Sequence, residues 1–144
     1  LVETSTNICI VSLSEDEFFA SSGVRSSVEA ARNALSDKIQ YLTEFLGGEY
    51  EIQGAYPAWE YRKESPLRDK MVEVYETMYG QKPEVVAIHA GLECGLFYKK
   101  IDGLDCVSLG PDMKDIHTSE EVLDIASTER VWKYLVKVLE ELKD

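Results

Sequence analysis

The sequence predicts an α/β protein made of two successive regions, and two observations support this prediction. In the first region, residues 2–56, the order of segments is strand, strand, helix, strand, which indicates a small α+β sandwich similar to most of a ferredoxin-like fold. In the second region, residues 65–144, helix-like and strand-like segments alternate, as is typical of a parallel or mixed sheet covered by helices.

The strands of the first region are predicted from composition. Residues 2–13 and 18–24 are rich in Val, Ile, Thr and Phe, and the polar stretch SEDE between them makes them a β-hairpin. Residues 49–56, EYEIQGAY, are expected to form a third strand.

The helix between them is predicted from its start signal and its apolar spacing. Ser26 and Glu29 fit a capping box, and Gly47 follows the last apolar position, where a helix commonly ends. The expected inward face comprises Val28, Ala31, Leu35, Ile39, Leu42 and Leu46.

A domain boundary is predicted near Pro57–Ser65, a charged and aromatic stretch. Ser65 is a suitable N-cap and Pro66 suits the first helical position of the next helix, which Gly80 ends. Its inward face comprises Leu67, Met71, Val74 and Met78.

The rest of the second region is expected to contain two buried strands and two helices. Residues 84–90 and 104–109 are short apolar runs of the strand type, and residues 91–100 form a short helix between them. Ser127 is expected to cap a final helix that ends near Lys143. Its inward face comprises Val131, Leu135, Val138 and Leu142.

Composition excludes several classes of function. With 15 Lys and Arg against 27 Asp and Glu, the net charge is −12, which disfavours nucleic acid and anionic membrane surfaces as partners. The three cysteines lack CxxC spacing, so reduced thiols in a cytoplasmic protein are expected, without a disulfide framework or a zinc ribbon. The chain starts with Leu1 inside a strand pattern, and we expect it to be a piece of a longer protein.

Both histidines follow predicted strands, at the sheet edge where ligands of α/β proteins commonly bind. His89 ends one strand and Glu93 lies in the first turn of the next helix, whereas His117 lies in an acidic loop after the other strand. A neutral imidazole can bind zinc, although a surface-loop histidine and a backbone-bonded histidine at the core edge are the plain alternatives. Cys94 near His89 permits a thiol enzyme, but a buried and inert thiol is the expectation.

Long segments of the chain resemble a known family. VVAIHAGLECGLF, GPDMKDIHTSEE and the first-region segments FFASSGVRSSV and GAYPAWEY are similar to the cytosolic aminoacyl-histidine (Xaa-His) dipeptidases, which are carnosinase-like di-zinc metallopeptidases. The resemblance implies that residues 1–58 are part of a lid domain that forms a homodimer. Residues 59–144 would then be the C-terminal part of the catalytic domain.

The resemblance also implies roles for individual residues. His117 matches a zinc ligand, and Glu121 matches the acid of a His-Ser-x-x-Glu pattern as a partner in the shell around that ligand. Arg25, His89 and Glu93 are implied to contact the dipeptide substrate, although VRSS departs from the Asp-Ile-Arg pattern common around the family's arginine.

The family's other metal ligands and its general base precede the matched segments. The resemblance therefore implies two zinc ions and a metal-activated water in the intact enzyme, with no catalytic base in these 144 residues and no activity of the chain alone. A non-catalytic α+β module that binds a ligand or dimerises is the alternative that composition and periodicity support equally.

Overall fold

The computed structural model describes residues 2–88 and 92–143 and shows a mixed helix and strand protein. The chain folds into two compact units: Leu1–Lys63 with Val86–Leu104, and Glu64–Val85 with Asp105–Asp144. The elements in chain order are β1 (Thr4–Leu13), β2 (Phe18–Ser26), α1 (Glu29–Phe45), α2 (Pro66–Tyr79), α3 (Glu93–Lys100), β3 (Met113–Lys114), β4 (Val122–Leu123) and α4 (Ile125–Glu141).

The predicted hairpin of the first unit is confirmed. Strands β1 and β2 pair antiparallel from Leu13↔Phe18 to Thr4↔Ser26, with a register shift between Ile8 and Ile10. Ser14 closes the turn, since its N–H donates to the Glu17 carbonyl at 2.8 Å and its hydroxyl accepts from the Glu17 N–H at 3.0 Å.

The predicted capping box at the start of α1 is wrong. Val28 occupies the N-cap position, and Ser26 is the last residue of β2. Its hydroxyl accepts from the Val28 N–H at 3.0 Å and shares a 2.9 Å hydrogen bond with Thr4 Oγ1 on the paired strand. Cross-strand pairing therefore engages the side chain that the local pattern assigned to the helix. The stop at Gly47, where φ is +82°, agrees with the prediction.

The predicted inward face of α1 is only partly covered. Ala31, Leu35 and Ile39 are half-buried, but Leu42 and Leu46 are 60% and 74% exposed. The sheet described in this unit has two strands, so it offers a narrow surface against which a 17-residue helix can pack.

Three predicted strands are not strands among the described residues. Residues 49–56, 84–88 and 104–109 have no ladder partner, although Ile52, Val86 and Leu109 expose the apolar side chains expected of strands. A strand requires a second segment to accept and donate its backbone hydrogen bonds, and composition cannot supply that partner.

The second unit is centred on the packing of α2 against α4. Ser65 caps α2 by accepting from the Arg68 N–H at 3.1 Å, and Gly80 ends it at φ +69°, as predicted. The buried core consists of Met71, Val74, Tyr134 and Val138.

The start of α4 differs from the prediction. Asp124 is the N-cap, and its carboxylate accepts from the Ser127 N–H at 2.6 Å, so Ser127 lies in the first turn. Leu142, expected to face inward, is exposed, while Tyr134 contributes to the core and donates its hydroxyl to the Met71 carbonyl at 2.7 Å. Within the described ranges, no helix is long and apolar enough to span a membrane.

Candidate metal-ligand loop

The loop that carries His117 is closed at its base by a short ribbon that the sequence did not predict. Strands β3 and β4 pair Met113 with Leu123 and Lys114 with Val122. Outside the ribbon, the Asp124 N–H donates to the Asp112 carbonyl at 3.0 Å. The loop therefore leaves and re-enters the fold at one place.

The base of the loop is attached to the first turn of α4. Ser127 Oγ accepts from the Asp112 N–H at 2.8 Å and donates to the Asp124 carbonyl at 2.7 Å. Arg130 adds an exposed ion pair, with its guanidinium 3.1 Å from the Asp112 carboxylate. We refer to Asp112, Asp124 and Ser127 as the loop clasp.

The tip of the loop has an unusual backbone. His117 and Asp115 adopt positive φ angles of 68° and 52°, a region of backbone conformation that residues other than glycine rarely occupy. The turn between them is held by Thr118, whose hydroxyl donates to the Asp115 carbonyl at 2.6 Å and whose N–H donates to the same carbonyl at 3.2 Å. Such conformations persist where surrounding contacts enforce them.

Glu121 contacts His117 through the backbone. Its carboxylate accepts from the His117 N–H at 2.7 Å, and both residues are exposed. This hydrogen bond is made to the backbone amide and helps to hold the His117 backbone in place. The implied role of Glu121 beside a metal-bound imidazole stays a prediction. The contact leaves the imidazole at the exposed tip of the loop.

The loop fits a metal ion as a donor of one ligand. An exposed imidazole on a hydrogen-bonded loop backbone is a suitable ligand for zinc. Across residues 2–88 and 92–143, however, no group of three His, Cys, Asp or Glu side chains is arranged to hold a metal ion. His117 could therefore contribute to a metal site only together with ligands from elsewhere.

The implied substrate contacts are divided between described and undescribed residues. Arg25 is exposed on β2, where it pairs with Ser5, and Glu93 is exposed as the first residue of α3. Both belong to the first unit, whereas His117 and Glu121 belong to the second. His89 lies outside the described residues. The exposure of Arg25 and Glu93 does not test a substrate contact, so the roles of all three candidates stay predictions.

Gly95 belongs to the segment VVAIHAGLECGLF, and its close contacts explain why a glycine stands at this position. It is the buried residue of α3, and a Cβ at this position would lie 3.0 Å from the Pro57 carbonyl oxygen and 3.4 Å from Trp59 Cβ. The glycine therefore allows α3 to approach the segment that contains residues 57–59. Lys99, near the other end of α3, forms a 3.0 Å ion pair with Glu29 of α1.

Sequence reasoning missed the loop clasp, although a signal for it exists. Asp124 and Ser127 have the spacing of an N-cap and its third helical residue, directly before the apolar periodicity of α4. The contribution of Asp112 was not visible, because its N–H meets Ser127 across 15 residues of chain. Cys9, Cys94 and Cys106 carry no disulfide, and Cys94 is half-buried in the first turn of α3.

Comparison with known proteins relates the chain to dipeptidases. No family model matches it. Over 142 residues, 99% of the chain, it is 32% identical to the cytosol non-specific dipeptidase of Escherichia coli (strain K12). The chain is a homologue of part of a dipeptidase. The crystal structure of the aminoacylhistidine dipeptidase from Vibrio alginolyticus covers all of the chain with a TM-score of 0.81 and 33% identity.

These comparisons confirm the resemblance to dipeptidases and the α/β fold class. They also show that the chain spans 29% of the length of each of the two dipeptidases. The matched segment includes the loop clasp and His117, since the alignment extends over nearly the whole chain.

Proposed function

We propose that this chain is part of a metal-dependent dipeptidase that hydrolyses Xaa-His dipeptides. The observation that carries the proposal is the match of the whole chain, in sequence and in fold, to two dipeptidases that are more than three times as long. One of them is named for aminoacyl-histidine substrates, which is the substrate class that we propose here.

In this proposal His117 is the metal ligand that the chain supplies. The positive φ of His117, the hydrogen bond from its N–H to Glu121 and the loop clasp support this role, because they order the backbone beneath an exposed imidazole. When bound, a pair of zinc ions would supply an activated water as the nucleophile. Arg25, His89 and Glu93 would contact the dipeptide, and the remaining ligands and the general base would come from other parts of the enzyme.

The same proposal includes a cytoplasmic location and a homodimeric assembly. A cytoplasmic enzyme agrees with the cytosolic relative and with three cysteines that carry no disulfide. A homodimer through the first unit would cover exposed apolar side chains of the hairpin, among them Ile10, Leu13 and Phe18.

A segment exchange tests the function. Residues 1–144 would replace the matching segment of the Escherichia coli dipeptidase, and hydrolysis of Leu-His and β-alanyl-His would be measured with added zinc. We expect an active chimera, because the rest of the Escherichia coli enzyme would supply the metal ligands and the general base that residues 1–144 lack. In the chimera, His117→Ala should reduce the hydrolysis rate at least about 100-fold and reduce the bound zinc, since a catalytic site depends on each ligand.

Lys114→Ala in the same chimera is the matched control, because Lys114 lies in β3 of the same loop and is exposed. It should leave both readouts unchanged. A folded chimera without activity, or a His117→Ala chimera with full activity and full zinc content, would contradict the proposal. The 144-residue chain alone should show no zinc-dependent hydrolysis.

A further inference from the structure

Ser127 is the most buried polar side chain of the second unit that contacts the His117 loop. It is 2% exposed, and it lies in the first turn of α4. A buried serine in a first helical turn often only bonds its own helix. Here its hydroxyl also accepts from Asp112, a residue on the far side of the loop.

The clasp forms a closed ring of hydrogen bonds at the base of the loop. Ser127 holds Asp112 through its hydroxyl at 2.8 Å and holds Asp124 through both its hydroxyl and its N–H, at 2.7 and 2.6 Å. Asp124 in turn donates its N–H to the Asp112 carbonyl. Both ends of the loop are therefore attached to a single side chain that is anchored in α4.

The tip of the loop depends on this base. The ribbon of β3 and β4 contains only two residues in each strand, and isolated two-stranded ribbons are marginal in water. The tip also holds two non-glycine residues, Asp115 and His117, at positive φ, a conformation that requires support from surrounding structure. Among the described contacts at the base of the loop, Ser127 is the buried member of the clasp, whereas both aspartates of the clasp and the Arg130 ion pair are exposed.

We propose that Ser127 is a positioning residue for His117: its hydroxyl joins both ends of the loop to α4 and so presents the imidazole to the metal in an ordered arrangement. The inference rests on the proposed function for the metal, but its first test does not. Removal of the hydroxyl should loosen residues 113–123 and leave the packing of α2 on α4 in place.

The first test measures amide hydrogen exchange of the 144-residue chain by mass spectrometry. Ser127→Ala should accelerate exchange at least about 10-fold in peptides from 113–123, including the His117 amide that donates to Glu121. Peptides from α2 should be unchanged. Ser127→Thr, which retains the hydroxyl, should restore the slow exchange.

Thr128→Ala is the matched control. Thr128 also donates its hydroxyl to the Asp124 carbonyl, at 3.2 Å, but it does not hold Asp112. Its removal should leave exchange in 113–123 within about twofold of the parent. Ser127→Cys keeps the branching of the side chain with a slightly larger atom and replaces the oxygen with a weak acceptor, and it serves in place of Ser127→Ala if that variant does not fold. Unchanged exchange in the folded variant, or equal acceleration throughout the chain, would overturn the proposal.

The second test measures zinc affinity of the chimera described above. Ser127→Ala should weaken zinc binding about 10- to 100-fold, as is usual when a support of a metal ligand is lost. Saturating zinc should restore its hydrolysis, whereas zinc should not rescue His117→Ala. Looser exchange with unchanged zinc affinity would refute the positioning role alone, while a fully active His117→Ala chimera would refute the proposed function itself.

Discussion

Helices α1 and α4 are both 17 residues long, yet they are buried very differently. Helix α4 buries Ser127, Tyr134 and Val138, and α1 buries no residue fully. Both carry an apolar periodicity in the sequence. The difference shows that periodicity identifies a helix face, while the partner element decides whether that face leaves water.

The partner of α4 is a second helix with complementary side chains. Tyr134 packs edge-on against Tyr75 with ring centroids 5.3 Å apart, and it hydrogen-bonds the α2 backbone. The partner of α1 is a two-stranded hairpin, which leaves Leu42 and Leu46 exposed. The comparison yields four predictions for the stability of the chain.

The largest effect is expected from Tyr134→Ala. It removes a ring that is 7% exposed and leaves a cavity between α2 and α4, which should lower the free energy of unfolding by about 3–5 kcal/mol. Leu42→Ala in α1 should change it by less than about 0.5 kcal/mol, because that side chain is exposed. Urea denaturation of both variants measures the difference, and equal losses would contradict the comparison.

The second effect concerns the close approach of α3 to residues 57–59 in the first unit. Gly95→Val should lower the free energy of unfolding by about 1–3 kcal/mol, since its side chain would overlap the Pro57 carbonyl and Trp59. Gly110→Val is the control, because a Cβ at Gly110 meets no atom within 4 Å. Thermal unfolding followed by circular dichroism tests this prediction. A Gly95→Val chain as stable as the control would show that the helix can shift without cost.

The third prediction isolates the hydroxyl of Tyr134. Burial, followed by the neighbouring Tyr75 and Tyr79, raises the pKa of Tyr134 above its usual value of 10. The contribution of this group to stability is therefore fully present below the pKa of the unfolded chain and is lost as pH rises through the folded pKa. Tyr134→Phe should lower the free energy of unfolding by about 1 kcal/mol at neutral pH and weaken its decline above pH 10.

The measurement is urea denaturation between pH 7 and pH 11. Tyr98→Phe, in the partly exposed α3, is a suitable control for tyrosine ionisation in general. An alkaline decline that is the same in parent and Tyr134→Phe would contradict the prediction.

The smallest effect is expected in the ion pair between α1 and α3. The hydrogen bond and the charge of Lys99, with a smaller contribution from Arg32, lower the pKa of Glu29 below its usual value of 4.5. Its contribution is present above the unfolded pKa and is lost as pH falls through the folded pKa. Glu29→Gln should cost no more than about 0.5 kcal/mol at pH 7, because the pair is exposed.

High salt should reduce that cost further, since exposed pairs are screened. Glu49→Gln, at an exposed position after α1, provides the matched control. A loss larger than about 1 kcal/mol for Glu29→Gln would indicate that α1 depends on this pair more than on its apolar contacts.

The candidate site was predictable in part. The resemblance predicted metal-site roles for His117 and Glu121, and these stay predictions, because the hydrogen bond between the two residues involves the backbone N–H of His117 and not its imidazole. Ser127 was expected to cap α4, but that role belongs to Asp124, and Ser127 connects the helix to the loop. A local pattern indicates that a serine will bond near a helix start, but not which distant N–H it will meet.

Much of the local structure followed from the sequence itself, because its causes lie within a few residues. The hairpin turn, the Ser65 cap, the stops at Gly47 and Gly80 and the helical spacing of the apolar residues on α2 all depend on neighbouring residues. Tertiary structure decided that the described segments 49–56, 84–88 and 104–109 do not pair as strands, how far α1 is covered, and how the His117 loop is closed. Each of these requires a partner remote in sequence, and a hydrogen bond or an apolar contact exists only where that partner is brought within reach.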